Sequence, residues 1–328
     1  MDTMKALQIL SPGSSEWKDV PRPKPGPGQV LSRVIAVTTC PQWDLHLNSG
    51  EPMFPGAPLP YPYTVGQPGH EMFGQVEKLG EGVSEFSIGD RVCAWRDQGH
   101  DRQGCYAQFV VHEKDNLLPA PLEEASWHQA PLELAMCVSS SFILLSRMDA
   151  VRGRRFGVVG LGGAGLIAVQ LAKAEGAREV IGFDPLPSRR DLAVRCGADE
   201  ALDPTEAFPR RRLTDCLDSG IDCVGSKASV TFLMEHTTEF AALFGVQREP
   251  YIYDLQCAAS PGLVLVGYPG HAKESAIYAA TWMKKGNLGL GCLVTHRLPL
   301  ESYVEGISLL RKQQAIKVAF FPWGEETP

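Results

Sequence analysis

Two patterns of hydrophobic and polar positions divide this chain of 328 residues. In the central part, short apolar runs bounded by glycine alternate with stretches of helical spacing. Residues 156–159 form one such run, a glycine-rich turn and a helical segment at 166–173 follow it, and further runs lie at 179–184, 220–225 and 262–267. Short apolar runs of this kind predict buried strands. Because they alternate with helices, the pattern predicts a parallel sheet.

The first part of the chain has a different pattern. Residues 30–37 form a β-rich run, and proline and glycine interrupt the chain at 21–28 and again at 52–62. Short strands that are separated by turn residues predict an all-β unit here.

Composition narrows the class of protein. At about 100–200 residues per domain, this length predicts roughly two domains, and 44% hydrophobic residues suffice for their cores. A net charge of −7 and a pI near 5.7 argue against a nucleic-acid partner. The longest apolar stretch, 156–172, contains five glycines and is a poor membrane span.

Cysteine usage favours a reducing compartment. The nine cysteines are an odd number at irregular spacings without a Cys-x-x-Cys pair, so neither a disulfide framework nor a zinc ribbon is indicated. Residues 1–10 lack the pattern of a secretory signal. We therefore expect a cytoplasmic protein.

The glycine-rich turn at 160–165 predicts a dinucleotide site. Gly160 would permit the tight turn, Gly162 would let a pyrophosphate approach the backbone, and Gly165 would allow the helix to pack closely on the strand, with Gly163 between them. The free N–H groups of the helix would bind the phosphates.

An acid at the end of the next strand bears on the type of cofactor. Asp184 follows Gly160 by twenty-four residues, and a carboxylate there can accept the ribose hydroxyls of NAD and would repel the 2′-phosphate of NADP. Arg189 and Arg190 offer an alternative, since an arginine could hold that phosphate. Asp184 could also simply end the strand. We expect NAD.

A second chemical signal lies at Gly69-His70-Glu71, where an imidazole and a carboxylate are adjacent. Cys40 and Asp44 precede them. Because Cys40 and His70 are too far apart for a finger-type site, the fold must bring them together, as catalytic zinc sites require.

The motif Gly-His-Glu-x2-Gly-x5-Gly-x2-Val at 69–83, followed by Gly-Asp-Arg-Val at 89–92, resembles that of the zinc-dependent medium-chain alcohol dehydrogenases, in particular their polyol or sorbitol dehydrogenase-like branch. The similarity covers most of the chain and weakens between about 206 and 262. It implies a GroES-like β-rich catalytic domain at 1–138, an inserted Rossmann domain with a doubly wound parallel sheet at 139–290, and a return to the catalytic domain at 291–328.

The resemblance also implies one catalytic zinc ion. Its ligands would be Cys40, His70 and a third residue for which Glu133 and Cys137 are alternatives, because the polyol branch uses a glutamate and the classical branch a cysteine. We expect Glu133, with Glu71 as an occasional or outer ligand. Asp44 would accept a hydrogen bond from the His70 imidazole and so orient it.

Residues 40–46 depart from the family pattern. The family has Cys-x-Ser/Thr-Asp, whereas this chain has one extra residue and Trp43 beside Asp44, so the usual proton relay lacks its hydroxyl. His46 matches the position that passes the proton to solvent, and Trp43 could line the substrate pocket. The four cysteines of a structural zinc lobe are missing after Val92, where only Cys93 and Cys105 occur, so we expect no structural zinc.

These observations predict a cytoplasmic oxidoreductase that transfers a hydride between NAD and an alcohol or polyol of the secondary alcohol/ketone class. Its catalytic residues would be His46, Glu71 and Asp44. The resemblance implies a homodimer or homotetramer, and neither nucleic acid nor membrane is an expected partner. Two alternatives remain: a zinc-free NAD(P)H reductase of quinones or enones, and a catalytically silent cofactor-binding protein.

Overall fold

The computed structural model describes residues 2–324, except 55, 57–58, 125, 212, 249 and 251–261. Within these residues the strands are, in chain order, β1 (Thr3–Ser11), β2 (Ser14–Pro21), β3 (Gln29–Thr38), β4 (Glu71–Leu79), β5 (Arg91–Ala94), β6 (Phe109–Glu113), β7 (Leu117–Pro119), β8 (Arg155–Val159), β9 (Glu179–Phe183), β10 (Glu200–Leu202), β11 (Leu217–Asp222), β12 (Thr237–Leu243), β13 (Val264–Gly267), β14 (Val294–Pro299) and β15 (Lys317–Phe321). The α-helices of the same residues are α1 (Pro41–Ser49), α2 (Leu132–Arg147), α3 (Gly163–Ala174), α4 (Pro187–Arg195), α5 (Lys227–His236), α6 (Lys273–Lys284) and α7 (Tyr303–Arg311).

The chain forms two compact units, and residues 1–134 and 293–328 make up the first. Its main sheet has the strand order β14-β15-β3-β4-β5-β7, and β6 also pairs with β3. Neighbouring strands are antiparallel except β14 and β15, which are parallel. The predicted β-rich unit is therefore present, and helices α1 and α7 belong to it as well.

The core of this unit lies where β3, β4 and β15 pack against the two helices. Val34 and Val37 of β3, Leu47 of α1, Ile307 of α7 and Phe320 of β15 are buried in one cluster. All five residues of β15 are buried, because the strand lies between β14 and β3 and is covered on its faces. Such burial explains the continuous apolar run at the end of the chain.

The second unit, residues 135–292, contains a six-stranded parallel sheet in the order β10-β9-β8-β11-β12-β13. Numbered from β8, this is the 3-2-1-4-5-6 order of the doubly wound dinucleotide-binding fold, in which the strand order reverses between the first and fourth strands. The sheet confirms the prediction of alternating strands and helices.

Two strand predictions need correction. The run 220–225 contributes only its first part to a strand, since β11 ends at Asp222 and a tight loop follows. The run 262–267 does form β13, but Val264 and Leu265 are exposed. β13 pairs only with β12 among the described strands, so an apolar run there does not mean a fully buried strand.

Within the described part of the chain, no helix is both long enough and apolar enough to cross a membrane.

Candidate functional site

The pairing of β3 with β4 brings Cys40 and His70 together. The strands are antiparallel and Thr38 lies opposite Glu71. Cys40 follows the end of β3 by two residues, and His70 directly precedes β4, so both emerge at the same edge of the sheet. Pro41 then starts helix α1, for which Cys40 is the N-cap. Residues thirty positions apart become neighbours through strand register alone.

Three potential ligand atoms converge there. The Sγ of Cys40, a ring nitrogen of His70 and a carboxylate oxygen of Glu71 all lie within 4.8 Å of one another. His70 Nδ1 is 2.8 Å from the carbonyl oxygen of Pro68, so Nδ1–H donates to that carbonyl and the lone pair of Nε2 is left for a ligand. Thiolate, imidazole and carboxylate are the donors that zinc prefers, and the cluster fits such an ion.

Glu133, near the start of α2, also faces the imidazole. Its Oε2 lies 3.6 Å from His70 Nε2, and both side chains are buried. Burial alone would lower the pKa of His70, but the hydrogen bond with Cys40 and the charge of Glu133 outweigh it and raise that pKa well above 6.5. Cys137 lies one helical turn further along α2 and is buried too.

Glu71 is held by groups that the sequence did not indicate. Lys317 Nζ lies 2.5 and 2.7 Å from its two carboxylate oxygens, and Thr38 Oγ1 donates to Oε2 at 2.6 Å. Burial raises the pKa of Glu71, and the positive charge of Lys317 opposes that shift. The ammonium therefore balances this carboxylate inside the protein.

Lys317 was missed by the sequence analysis, although one signal was present. It opens the otherwise apolar run of β15, and a lysine is almost never buried unless it is paired. β15 is antiparallel to β3, with Ala319 opposite Thr38, which places Lys317 beside the end of β3. Its Nζ also donates to the carbonyl oxygen of Thr39 at 2.7 Å.

The expected hydrogen bond between Asp44 and His70 is wrong. Tyr106 Oη donates to the Asp44 carboxylate at 2.9 and 3.0 Å, and Tyr303 Oη donates at 2.9 Å, while His70 Nδ1 donates to the Pro68 carbonyl. Complete burial raises the pKa of Asp44 from 3.8 to about 6, although the two tyrosines and the charge of His70 oppose the shift. The link between Asp44 and the cluster is in the backbone, where the Asp44 N–H donates to the carbonyl oxygen of Cys40 at 2.9 Å.

His46 and Trp43 lie on α1 with Asp44. His46 Nδ1 is 2.9 Å from the carbonyl oxygen of Glu51 in an exposed setting. The Trp43 ring lies 4.0 Å from the His100 ring and 6.1 Å from that of Phe54, centroid to centroid. The structure therefore places Trp43 in an aromatic group with His100 and Phe54.

The two cysteines that follow Val92 lie in the protein interior. Cys93 Sγ is 3.6 Å from the carbonyl oxygen of Gln129, and Cys105 Sγ is 3.7 Å from His112 Nε2. Burial raises the pKa of both thiols, which keeps them protonated and makes them poor metal ligands.

In the second unit, the turn between β8 and α3 has the geometry that its glycines predict. Gly160 has a φ of +87°, which favours glycine. A Cβ at Gly165 would lie 1.8 Å from the carbonyl oxygen of Gly160, so the helix approaches the turn too closely for any side chain. A Cβ at Gly162 would meet nothing within 4 Å, which leaves space beside the N-terminus of α3, where Gly163 is the first residue.

Asp184 connects this turn to the end of β9. Its Oδ2 accepts from the Leu161 N–H and its Oδ1 from the Leu186 N–H, each at 2.9 Å. Arg189 Nη1 lies 3.5 Å from Oδ2, and Arg190 Nη1 donates to the carbonyl oxygen of Asp184 at 2.8 Å. The structure thus brings the predicted acid, both predicted arginines and the glycine turn together.

Comparison with protein-family models gives two matches. Residues 26–122 match the model described as alcohol dehydrogenase GroES-like domain, and residues 163–256 match the one described as zinc-binding dehydrogenase. Together they account for more than half of the chain.

Whole-length relatives agree with these matches. The chain is 28% identical to L-threonine 3-dehydrogenase of Bacillus licheniformis and 27% identical to that of Pyrococcus horikoshii, in each case over 97% of this chain and 99% of the relative. Among solved structures, 2R,3R-butanediol dehydrogenase from Bacillus subtilis superimposes with a TM-score of 0.84 at 22% identity, covering 97% of this chain and 99% of that one. A zinc-binding dehydrogenase fold from Sinorhizobium meliloti, bound to NADP, has a TM-score of 0.82 at 23% identity, with 98% and 100% covered.

Proposed function

We propose a specific reaction from the premise that this chain belongs to the zinc-dependent medium-chain alcohol dehydrogenase family, and is an NAD(P)-dependent oxidoreductase that transfers a hydride between an alcohol and a ketone. The proposal is oxidation of a secondary alcohol by NAD at one catalytic zinc site. The relatives named above act on L-threonine and on 2R,3R-butanediol, both of which carry a hydroxyl on a secondary carbon with a polar neighbour. We infer that the substrate of this chain is of that class.

The proposal depends on the convergence of Cys40 and His70 within 4.8 Å of each other, with the carboxylate of Glu133 3.6 Å from His70 Nε2. We assign Cys40, His70 and Glu133 as zinc ligands. Glu133 is preferred to Glu71 because Lys317 already neutralises Glu71, whereas Glu133 faces His70 Nε2, the ring nitrogen that is not on the Pro68 carbonyl. When bound, zinc would act as a Lewis acid toward the alcohol oxygen, and NAD would accept the hydride.

The remaining residues of the first unit orient these ligands. The carbonyl oxygen of Pro68 accepts a hydrogen bond from His70 Nδ1–H and so fixes the tautomer of the imidazole. Lys317 and Thr38 hold Glu71 in place beside them. Trp43 stands where the family has a hydroxyl. We assign the final proton transfer to His46, whose partly exposed ring can exchange with water while Nδ1 remains on the Glu51 carbonyl.

We propose that the second unit binds NAD. The space at Gly162 admits a pyrophosphate to the N-terminus of α3, and the Asp184 carboxylate lies next to that turn. A negative charge there favours the ribose hydroxyls of NAD over the 2′-phosphate of NADP.

Steady-state kinetics with each cofactor tests this assignment. The wild-type kcat/KM should be higher with NAD than with NADP, and Asp184→Ser should bring the two kcat/KM values closer together. A wild-type preference for NADP would assign Arg189 and Arg190 to that phosphate instead.

One experiment tests the central proposal. Protein purified without chelator is analysed for metals and assayed for NAD reduction with secondary alcohols and polyols. We expect one zinc ion per chain and turnover of at least one alcohol. His70→Ala should abolish turnover and leave NAD binding nearly intact, and His296→Ala, which changes a partly exposed histidine of the same unit, is the control. Turnover by zinc-free protein would favour a reductase, and zinc-loaded protein without turnover would favour a silent cofactor-binding protein.

We further propose that the first unit is the catalytic domain and the second the cofactor domain, in a cytoplasmic homodimer or homotetramer. Family resemblance supports the assembly, and light scattering of the purified protein would measure it.

A further inference from the structure

Two cysteine thiols of the second unit lie in contact with each other. Cys196 directly follows the last residue of α4, Cys292 is the last residue of the unit, and their side chains form a hydrogen bond. Both residues are partly exposed, so small molecules in solution can reach them. Neither cysteine belongs to the candidate metal centre or to the glycine turn, so the chemistry of this pair is independent of the proposed dehydrogenase reaction.

Helix α3 supports the segments that contain the two cysteines. Gln170 Nε2 lies 3.6 Å from Cys292 Sγ. Near the end of α3, Lys173 Nζ donates to the two carboxylate oxygens of Asp199 at 2.9 and 3.0 Å, and Asp199 follows Cys196 by three positions. Because residues three apart in a helix lie on the same face, Gln170 and Lys173 hold the two segments side by side.

The two thiols differ in acidity. The hydrogen bond with Cys292 lowers the pKa of Cys196; partial burial opposes this shift, and the positive charge of Arg195 supports it. The same hydrogen bond raises the pKa of Cys292, and burial adds to the increase. The thiolate is the nucleophilic form of cysteine. Cys196 therefore has the larger thiolate fraction of the two and is the thiol that reacts first with an electrophile.

Other cysteines lack this combination of exposure, acidity and a neighbouring thiol. Cys93 and Cys105 are buried, and burial raises the pKa of both. Burial also raises the pKa of Cys223. Cysteines that respond to oxidants have a lowered pKa, are accessible and lie next to a second cysteine that resolves the oxidised form. Cys196 meets all three conditions.

We propose that Cys196 and Cys292 are a peroxide-reactive dithiol, in which a small hydroperoxide oxidises Cys196 and Cys292 converts the product to a reversible disulfide. With hydrogen peroxide, the Cys196 thiolate attacks one oxygen. The S–O bond forms, the O–O bond breaks, and the leaving hydroxide takes up the proton that the thiol released, which gives a sulfenic acid and one water molecule.

The disulfide forms in the second step. The sulfur of Cys292 attacks the sulfur of Cys196, the S–S bond forms, the S–O bond breaks, and the leaving hydroxide departs with the Cys292 proton as a second water molecule. The two thiols lose two electrons in total, and hydrogen peroxide is reduced to water. A dithiol reductant such as dithiothreitol reverses the reaction by thiol–disulfide exchange.

The disulfide would cross-link α4 to the segment that lies against α3. Gln170 of α3 accepts a hydrogen bond from the Gly289 N–H at 2.8 Å through Oε1, and Cys292 is three residues further along. Helix α4 carries Arg189 and Arg190, which contact Asp184. Oxidation would therefore restrain the two helices that follow the glycine turn and the acid.

Mass spectrometry of the purified full-length protein tests the proposal. The protein is treated with hydrogen peroxide, remaining thiols are blocked with iodoacetamide, and the chain is digested without reductant. We expect a cross-linked peptide pair that contains Cys196 and Cys292, weighs two hydrogen atoms less than the two free peptides, and disappears after treatment with dithiothreitol. Peroxide-treated protein in which both cysteines are recovered as alkylated thiols would overturn the proposal.

Two serine variants test the assigned roles. In Cys292→Ser the reaction stops at the sulfenic acid, so dimedone should label Cys196 about tenfold more than in the wild type. In Cys196→Ser, dimedone should label Cys292 only weakly. Cys216→Ser, which changes another partly exposed cysteine of this unit, is the control and should form the disulfide to the wild-type extent. Equal dimedone labelling of Cys196 and Cys292 in the two variants would contradict the assigned roles.

Discussion

Lys317 Nζ lies 2.5 and 2.7 Å from the two carboxylate oxygens of Glu71, and both side chains are inaccessible to solvent. The two residues are 246 positions apart in the chain. Their pairing fixes the carboxylate next to His70 and links β15, the last strand of the described residues, to the candidate metal centre.

Removal of the lysine should destabilise the protein strongly. Lys317→Met leaves Glu71 buried without a counter-charge, and breaking a buried pair in this way costs about 3–5 kcal/mol. Urea unfolding of the metal-free protein measures the loss. Lys317→Met combined with Glu71→Gln should recover much of it, since no uncompensated charge remains. Lys312→Met, at an exposed lysine, is the control, and equal losses for Lys312 and Lys317 variants would contradict the assigned pairing.

Asp44 should make stability depend on pH. Its pKa is about 6 in the folded protein against 3.8 ordinarily, so the folded state binds more protons between these values. The stabilising contribution is complete below pH 3.8 and is lost as the pH rises through 6. Two pKa units correspond to about 3 kcal/mol. Asp44→Asn should therefore gain about that much relative to wild type between pH 4 and 7.

Unfolding in urea over a pH series, with metal-free protein, gives this difference. All other titrating groups are common to both proteins, so they cancel in the comparison. A difference that stays constant from pH 4 to 7 would show that the two tyrosines hold Asp44 fully ionised.

Gly165 and Gly162 should respond differently to alanine. At Gly165 the added Cβ would lie 1.8 Å from the Gly160 carbonyl oxygen, so Gly165→Ala forces α3 away from the turn and lowers the melting temperature. Gly162→Ala meets no atom within 4 Å and should leave the melting temperature close to wild type, while its methyl group blocks the pyrophosphate and weakens NAD binding. Differential scanning calorimetry measures the melting temperature of each variant, and titration with NAD measures its affinity for the cofactor. Tight NAD binding by Gly162→Ala would place the pyrophosphate elsewhere.

Glu133 and Cys137 can be distinguished by metal retention. Glu133→Ala removes the carboxylate that lies 3.6 Å from His70 Nε2, so the zinc content after dialysis should fall well below one ion per chain. Cys137→Ser should retain its zinc. The opposite result would assign the third ligand to the cysteine.

The sequence predicted those features of the fold that depend only on residues close together in the chain. The turn at Gly160, the start of α3 and the acid at Asp184 follow from spacing along a few residues, and the structure brings them together. The adjacency of His70 and Glu71 was likewise visible. By contrast, the partner assigned to Asp44 was wrong, because Tyr106 and Tyr303 are 62 and 259 residues away.

By itself, the sequence determined the type of each unit, the dinucleotide turn and the pair of Cys40 and His70 as metal-binding candidates, because periodicity, glycine spacing and residue chemistry are local properties. The tertiary structure alone decided that Lys317 neutralises Glu71, that tyrosines hold Asp44, and that the His100 ring packs on Trp43. Those relationships depend on the register of β15 against β3 and on contacts between loops that are distant in the chain. The register between remote strands is set by packing of the whole unit, so a local sequence pattern does not reveal it.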